Sequence, residues 1–226
     1  MQSLGTRLQT VLRSVPENSA VADIGTDHAF LPIALIKLGI AKKVIACDIN
    51  EKPLEVAKKN IEKTGVKNIE VRLSNGLQNV NKDEVDVITI AGMGGDLICN
   101  IIKEATWLKD KSKRLIMQPM TSADVIREYL YSEGFEILDE IAVVDTGRVY
   151  SVITASFSGE KRKITSGKKF IGELKYTSAD NKRYIDLQYN RVKSCAESLK
   201  NVKQKEDEYK LFSDAEKEIK EIIEKK

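Results

Sequence analysis

Histidine is almost missing from this chain of 226 residues: there is one, His28, and the three cysteines, Cys47, Cys99 and Cys195, are scattered with no CxxC pair among them. That scarcity excludes a zinc site built from His and Cys, and it speaks for a reducing compartment rather than a disulfide framework. Long hydrophobic runs are missing too. The best candidate, LPIALIKLGIA, is short of a membrane span and is interrupted by Lys37. The opening MQSLGTRLQTVLRSV carries Arg7 and Arg13 among its apolar residues, so it lacks the core of a signal peptide. These absences lead to the expectation of a soluble, cytoplasmic protein without a metal or a membrane partner.

What is present suffices for one ordinary domain with an appendage: 42% of the residues are hydrophobic. The formal net charge of +3 conceals an uneven distribution. Residues 1–158 hold 19 Lys/Arg against 21 Asp/Glu, whereas residues 161–205 hold 13 against 4, and the last stretch is acidic again. A basic block of this kind is the electrostatic footprint of a polyanion-binding face, although a solvated lysine-rich helix has the same composition.

Hydrophobic periodicity predicts the order of elements. Leu4, Leu8, Val11, Leu12 and Val15 fall at helical spacing and Pro16 ends the pattern. A strand over about 20–24 follows, then a helix with Pro32 in its first turn and Gly39 as its stop. KVIACDIN, IEVRLSNG, VDVITIAGMGG and RLIMQP read as strands. They alternate with EKPLEVAKKNIEKTG, closed by Gly65, with a helix through Ile98 and Ile102, and with SADVIREYLYSEGF, capped by Ser122. This alternation predicts a doubly wound parallel sheet. EILDEIAVVD and RVYSVITASFS are joined only by Thr146 and Gly147, too short a link for a crossover helix, so the last strand turns back as an antiparallel hairpin. Seven strands with that ending resemble the Rossmann-like α/β sheet of class I methyltransferases.

Past Gly159 the strand pattern stops. Ile185, Tyr189, Val192, Ala196, Leu199 and Val202 form one helical seam, and Tyr209, Phe212, Ala215, Ile219 and Ile222 a second after the polar KQKED, which predicts an antiparallel helical hairpin of coiled-coil character. The expected division is residues 1–159 as the catalytic domain and 160–226 as an α-helical domain. Gly159 and Gly167 flank a lysine-rich link with the composition of a hinge.

In an open α/β sheet the ligand lies outside the carboxyl ends of the strands. Four segments deliver unusual residues there: DIGTDHAF, Asp48, Asn75 with Gly76, and AGMGG at 91–95. A dinucleotide pyrophosphate would be repelled by Asp23 and Asp27. S-adenosylmethionine has no phosphate and carries a sulfonium and an ammonium, so carboxylates favour it. Asp23 with the Gly25 to Thr26 backbone suits its methionine end, Asp48 the ribose and Asn75 the adenine edge. Asp27 belongs to the same site. His28 is open to two readings, a base or a residue that orients backbone or ligand. Pro119, in MQPM, either ends its strand or borders the reaction centre. The NPPY-type motif that holds an exocyclic amine is absent after the fourth strand, which disfavours N6 chemistry and leaves a ring nitrogen open.

Taken together, VADIGTDHAFLPIAL, ACDIN, SNGL, IAGMGG and MQP, followed by the hairpin and helical extension, resemble the bacterial tRNA (adenine(22)-N(1))-methyltransferase family. The resemblance implies S-adenosylmethionine held by Asp23, Gly25, Asp48, Asn75 and Gly76, and the site is expected to extend over Thr26, Asp27, His28, Ile49, Ala91, Gly92 and Met93. The resemblance also implies that AGMGG lines the entry of the target adenine, where Gly94 and Gly95 are expected together with Gln118 and Pro119; Asp27 and His28 are the catalytic candidates. The resemblance implies a tRNA partner held by the helical extension; independently, the basic block offers Lys168, Lys169, Lys182, Arg183, Arg191 and Lys193 as phosphate contacts and Phe170, Tyr176 and Tyr184 for stacking on bases, with Tyr189 open to that role or to the seam core. The chain is expected to act as a monomer. Two other readings stay open: a methyltransferase of another acceptor with a dimerising hairpin, and a non-enzymatic RNA-binding module on a degenerate nucleotide fold.

Overall fold

The computed structural model describes residues 4–225. Strands β1 (Ser19–Ile24), β2 (Ala41–Asp48), β3 (Ile69–Leu73), β4 (Val87–Gly94), β5 (Arg114–Thr121), β6 (Phe135–Asp145) and β7 (Arg148–Phe157) form one sheet in the order β3-β2-β1-β4-β5-β7-β6. The first five run parallel; β7 pairs antiparallel with both β5 and β6. Thr146 and Gly147, both at positive φ, make the turn that reverses the chain, a backbone requirement of tight hairpins. The seven-stranded sheet with an antiparallel last strand is therefore present as the alternation implied.

Alternate residues of each central strand enter opposite layers, the period of two that defines a strand. Ala22, Ile24, Ile45, Cys47, Ile88 and Ile90 face helices α4 (Gly95–Glu104) and α5 (Ala123–Glu133). Val21, Val44 and Val87 face α1 (Thr6–Ser14) and α2 (Phe30–Lys37). Helix α3 (Glu51–Thr64) packs on α2 through Ala57 and ends at Gly65 in the left-handed conformation. Cys47 and Cys99 are free and buried, and burial pushes each thiol up to about 12.

The switch from β5 to α5 differs from expectation in one detail. Ser122 occupies the N-cap position but stands at φ 56 and makes no side-chain cap bond. Its carbonyl turns toward Gly95, where a Cβ would overlap the Ser122 oxygen. Gly95 is buried and holds α4 against this turn, so it presents no open face to a substrate. Gly95→Ala is expected to lower stability by about 3 kcal/mol, read as a lower urea midpoint with an unchanged slope.

Beyond β7, helices α6 (Ser166–Ile171), α7 (Ala179–Leu199) and α8 (Glu206–Glu224) share a core of Phe170, Ile185, Val192, Ala215 and Ile219, to which the hairpin strands add Ala142 and Val149. The seam is present, except that Val202 lies past the end of α7 and is exposed. Helix α6 replaces the expected hinge: Gly167 is buried within it, and its N–H donates to Glu218 of α8 at 2.8 Å. Gly167 is a close-packing point, since a Cβ there would meet the Glu218 side chain at 2.7 Å.

The helical unit is fastened to the sheet by a buried cation. Arg127 of α5 and Glu140 of β6 have fully buried side chains paired at 2.6 Å. Arg127 Nη1 donates to the carbonyls of Lys169 and Phe170, and Nη2 to Tyr184 Oη. Glu140 accepts from the Glu173 N–H. Burial opposes the Arg127 charge, and the Glu140 and Tyr184 contacts outweigh it, leaving the group above the usual arginine range. Among the described residues no helix is long and apolar enough to cross a membrane.

Candidate active site

The turn after β1 is bent by its sequence. Gly25, Asp27 and Ala29 all stand at positive φ, an unusual density for non-glycine residues. The Gly25 and Thr26 N–H groups both donate to the Cys47 carbonyl at 2.9 Å, which folds the loop across the end of β2. Helix α2 then begins at Ala29 without a side-chain cap. Gly25 stands at φ +74, which favours glycine, and a Cβ there would also displace the terminal methyl of Met93.

This loop walls a cavity of about 310 Å³ that brings together Asp23, Gly25, Thr26, Asp27, His28, Ala91 and Gly92, with Phe30 and Leu31 on its apolar side. Asp23 is 4% exposed, and Thr89 Oγ1 donates to its Oδ1 at 2.7 Å. Burial raises its pKa from 3.8 to about 6 against the pull of that bond, with Asp48 pushing the same way as burial. Asp27 Oδ2 lies 3.6 Å from His28 Nε2. His28 is held through its carbonyl, which accepts from Asn60 Nδ2 at 3.0 Å.

The remaining predicted cofactor residues lie on adjoining strand ends and do not line the cavity. Asp48 is 9% exposed; it accepts the Asn50 N–H at 3.0 Å and the Asp27 N–H at 3.3 Å, which ties the two loops together. Ile49 is exposed beside it. Ser74 builds the next turn, with its N–H on the Asp48 carbonyl and its hydroxyl on Gly76, leaving Asn75 exposed. Met93 is partly buried on the main core, and Gly94 ends β4.

The sequence reading missed Arg7. This residue of α1 lines the cavity beside Gly92. Its Nη1 donates to Gln118 Oε1 at 2.8 Å, and its Nε lies 3.8 Å from Asp145 Oδ2. Gln118 is fully buried and also donates to the Pro119 carbonyl; Pro119 is buried too, so this pair forms a wall rather than an open contact. The one available signal was a cation four residues before Val11 in an otherwise apolar stripe.

The basic residues behave unequally. Lys168 pairs with Glu173 and Lys169 with Glu128, both at 2.8 Å, so their charge is partly met within the protein. Lys182, Arg183, Arg191 and Lys193 are exposed on α7, and among the described residues they form no ion pair. The aromatics are corrected more firmly. Phe170 and Tyr184 are buried at 2% and 4% exposure, and Tyr176 is engaged with Asp186, because the three-helix core needed apolar bulk more than a stacking platform. Tyr189 packs partly buried on the same core.

Two observations in this protein test the fit of S-adenosylmethionine. His28 Nδ1 is buried in the cavity wall without a hydrogen-bond partner, and Thr26 Oγ1 has none beyond the neighbouring Asp23 carboxylate, so both mark a place for a polar ligand. The buried Asp23 carboxylate, held partly protonated near neutrality, gains a cation partner there. The donor set therefore fits a ligand with ammonium and sulfonium charge. Among the described residues no group of three or more His, Cys, Asp and Glu is arranged to hold a metal ion.

Residues 4–153 match the family model described as a methyltransferase domain. The tRNA (adenine(22)-N(1))-methyltransferase of Bacillus subtilis is 42% identical over 156 residues, 67% of this chain and 64% of that protein, so the aligned part spans just under two thirds of the relative. The crystal structure of the B. subtilis M1A22 tRNA methyltransferase TrmK superposes with a TM-score of 0.86 at 33% identity, covering 99% of this chain and 100% of that one. M. capricolum TrmK, solved with S-adenosyl-homocysteine, superposes with a TM-score of 0.79 at 29% identity over 97% of each chain. With a superposition that runs the whole length of the chain, sheet and helical extension included, the chain belongs to the tRNA (adenine(22)-N(1))-methyltransferase family of S-adenosylmethionine-dependent enzymes.

Proposed function

We propose that this chain transfers a methyl group from S-adenosylmethionine to ring nitrogen 1 of adenine 22 in the D-arm of bacterial tRNA, as a cytoplasmic monomer that needs no metal. The observation that carries the reading is the full-length correspondence, helical extension included, with the B. subtilis M1A22 enzyme. S-adenosylmethionine, when bound, supplies an electrophilic methyl on a sulfonium. Asp23, Thr26 and the Gly25 backbone hold the charged end, and Asp48, with Asn75 beyond it, takes the ribose and base.

Nitrogen 1 of neutral adenine carries a free lone pair, so the acceptor needs no deprotonation before attack. Positioning and exclusion of water therefore supply most of the acceleration. The methylated ring is a cation. Asp27, exposed at the cavity mouth and tethered to the Asp48 loop through its N–H, stabilises the charge that develops. His28 orients this carboxylate through the Nε2 contact. The pairing edge of adenine must leave the helix before it can react, and Lys182, Arg183 and Lys193 of α7 grip phosphates while it does so.

The test is incubation with S-adenosylmethionine and unmodified transcripts carrying adenine or guanine at position 22. 1-Methyladenosine is expected by nucleoside mass spectrometry only in the adenine transcript. Equal methylation of both transcripts, or methylation of another nucleoside, would overturn the site assignment.

A further inference from the structure

A second cavity, of about 400 Å³, opens between the β5–α5 turn and α7. Its size lies in the range of roughly 300–1,000 Å³ common for small-ligand sites. Two apolar side chains stand exposed in its walls, Met120 at 37% and Leu187 at 54%. Beside Leu187, α7 adds two polar groups to the lining, the Gln188 amide and the Arg191 guanidinium, the latter without an ion pair. Arg183, Leu187 and Arg191 are spaced by four and share one face of α7. Arg183 is anchored on the Gly147 carbonyl at 2.8 Å, and the Arg191 guanidinium lies 5.9 Å from the centre of the Phe170 ring.

Apolar walls with a flat cation and an amide are what an unstacked nucleobase needs: a surface on which to stack and donors for its edge. A phosphate fits less well, because Asp124 offsets Arg191 in the lining and the charge of Arg127 is already met by Glu140. The occupant is also not the base that receives the methyl group. The two cavities share no lining residue. Gln118, fully buried, stands between them, bonded on one side to Arg7 and on the other to Pro119 and Met120. Extruding the target adenine leaves its pairing partner or its stacking neighbour without contacts, and sheltering that base lowers the cost of opening the helix.

Resting on the tRNA reading above, we infer that the cleft formed by Met120, Leu187, Gln188 and Arg191 holds a second, non-methylated nucleobase of the tRNA substrate while the target adenine occupies the cofactor side of Gln118. The experiment compares kcat/KM of the wild type and of the Leu187→Ala/Arg191→Ala double variant on transcripts in which each D-arm nucleotide except the target is made abasic in turn. The wild type is expected to lose about tenfold at one abasic position, as for the loss of one stacked base. The double variant is expected to lose about as much on the intact transcript, and nothing further at that position, with unchanged affinity for S-adenosylmethionine.

Losses that multiply would overturn the inference, as would a wild type indifferent to every abasic substitution. A loss equal on all transcripts and accompanied by a shallower salt dependence would assign Arg191 to a phosphate and overturn it too. A wild type that binds S-adenosylmethionine yet methylates no intact transcript would sink the tRNA reading itself, and the inference with it.

Discussion

Asp23→Asn is expected to abolish binding of S-adenosylmethionine while making the ligand-free protein more stable above neutrality. Asp23 sits 4% exposed with a pKa raised from 3.8 to about 6, mainly by burial. The folded state therefore holds the proton more tightly than the unfolded chain. The stability this contributes is complete below pH 3.8 and is lost as pH rises through 6, a change of about 3 kcal/mol. An Asn at the same place has no such loss. Its melting temperature above pH 7 should exceed that of the wild type by about 5–10 °C, and the two curves should converge in acid. Binding moves the other way. A cationic ligand needs the ionised carboxylate, so wild-type affinity should fall as pH drops through 6, and the Asn variant should lose about 100-fold or more at pH 8. Calorimetric titration at pH 5, 6.5 and 8 measures both trends. An Asn variant that binds like the wild type would show that the cation is held elsewhere.

The second large effect concerns the Arg127–Glu140 pair. Removing one partner leaves an uncompensated buried charge and strands the carbonyls of Lys169 and Phe170. Arg127→Ala is expected to cost about 3–5 kcal/mol. Arg127→Lys keeps the charge but not the fork that reaches Glu140, Tyr184 and both carbonyls, so it should recover less than half. The damage should be local. Hydrogen exchange is expected to rise in α6 and α7, while affinity for S-adenosylmethionine changes by less than about twofold, because Arg127 lies outside the cofactor cavity. Gly172→Ala should reproduce the phenotype, since a Cβ there would overlap the Glu140 carboxylate and the chain stands at φ +64. Uniform exchange across the sheet would refute the idea of a local fastening.

Much of the sheet was legible in the sequence because a strand advertises itself by period and by the turn residues at its ends. Asp23 and Asp48 were legible for the same reason: each is the last polar residue of an apolar strand, at the carboxyl end of the sheet where ligands lie. Arg127 was not. It stands between Ile126 and Glu128 in a helix whose apolar positions were already accounted for, and the groups that make its burial tolerable come 13 to 57 residues later. Helix α6 was hidden because its sequence, SGKKFI, is short and carries two lysines. Phe170 and Tyr184 were assigned to RNA because aromatics in a basic segment suit that role, yet a three-helix core with few large apolar residues needed them inside. Arg7 was missed for a related reason: its two partners, Gln118 and Asp145, lie more than a hundred residues away.

That same arginine bears on how the enzyme is made. The wall of the cofactor cavity closes where residue 7 meets residues 118 and 145. The central strand, β1, has to wait for β4 before both its edges are covered. A growing polypeptide leaves the ribosome from the N-terminus at about 5–20 residues per second, and contacts this distant in sequence are the slow ones to form. The first helix therefore emerges many seconds before anything exists for Arg7 to grip. A nascent chain that has not reached Asp145 lacks one of the two groups that fix Arg7 in the cavity wall. Cofactor in the cell can thus stabilise the completed sheet by mass action but cannot rescue one still being synthesised, which leaves the apolar stripe of α1 without its later sheet partners in the interval.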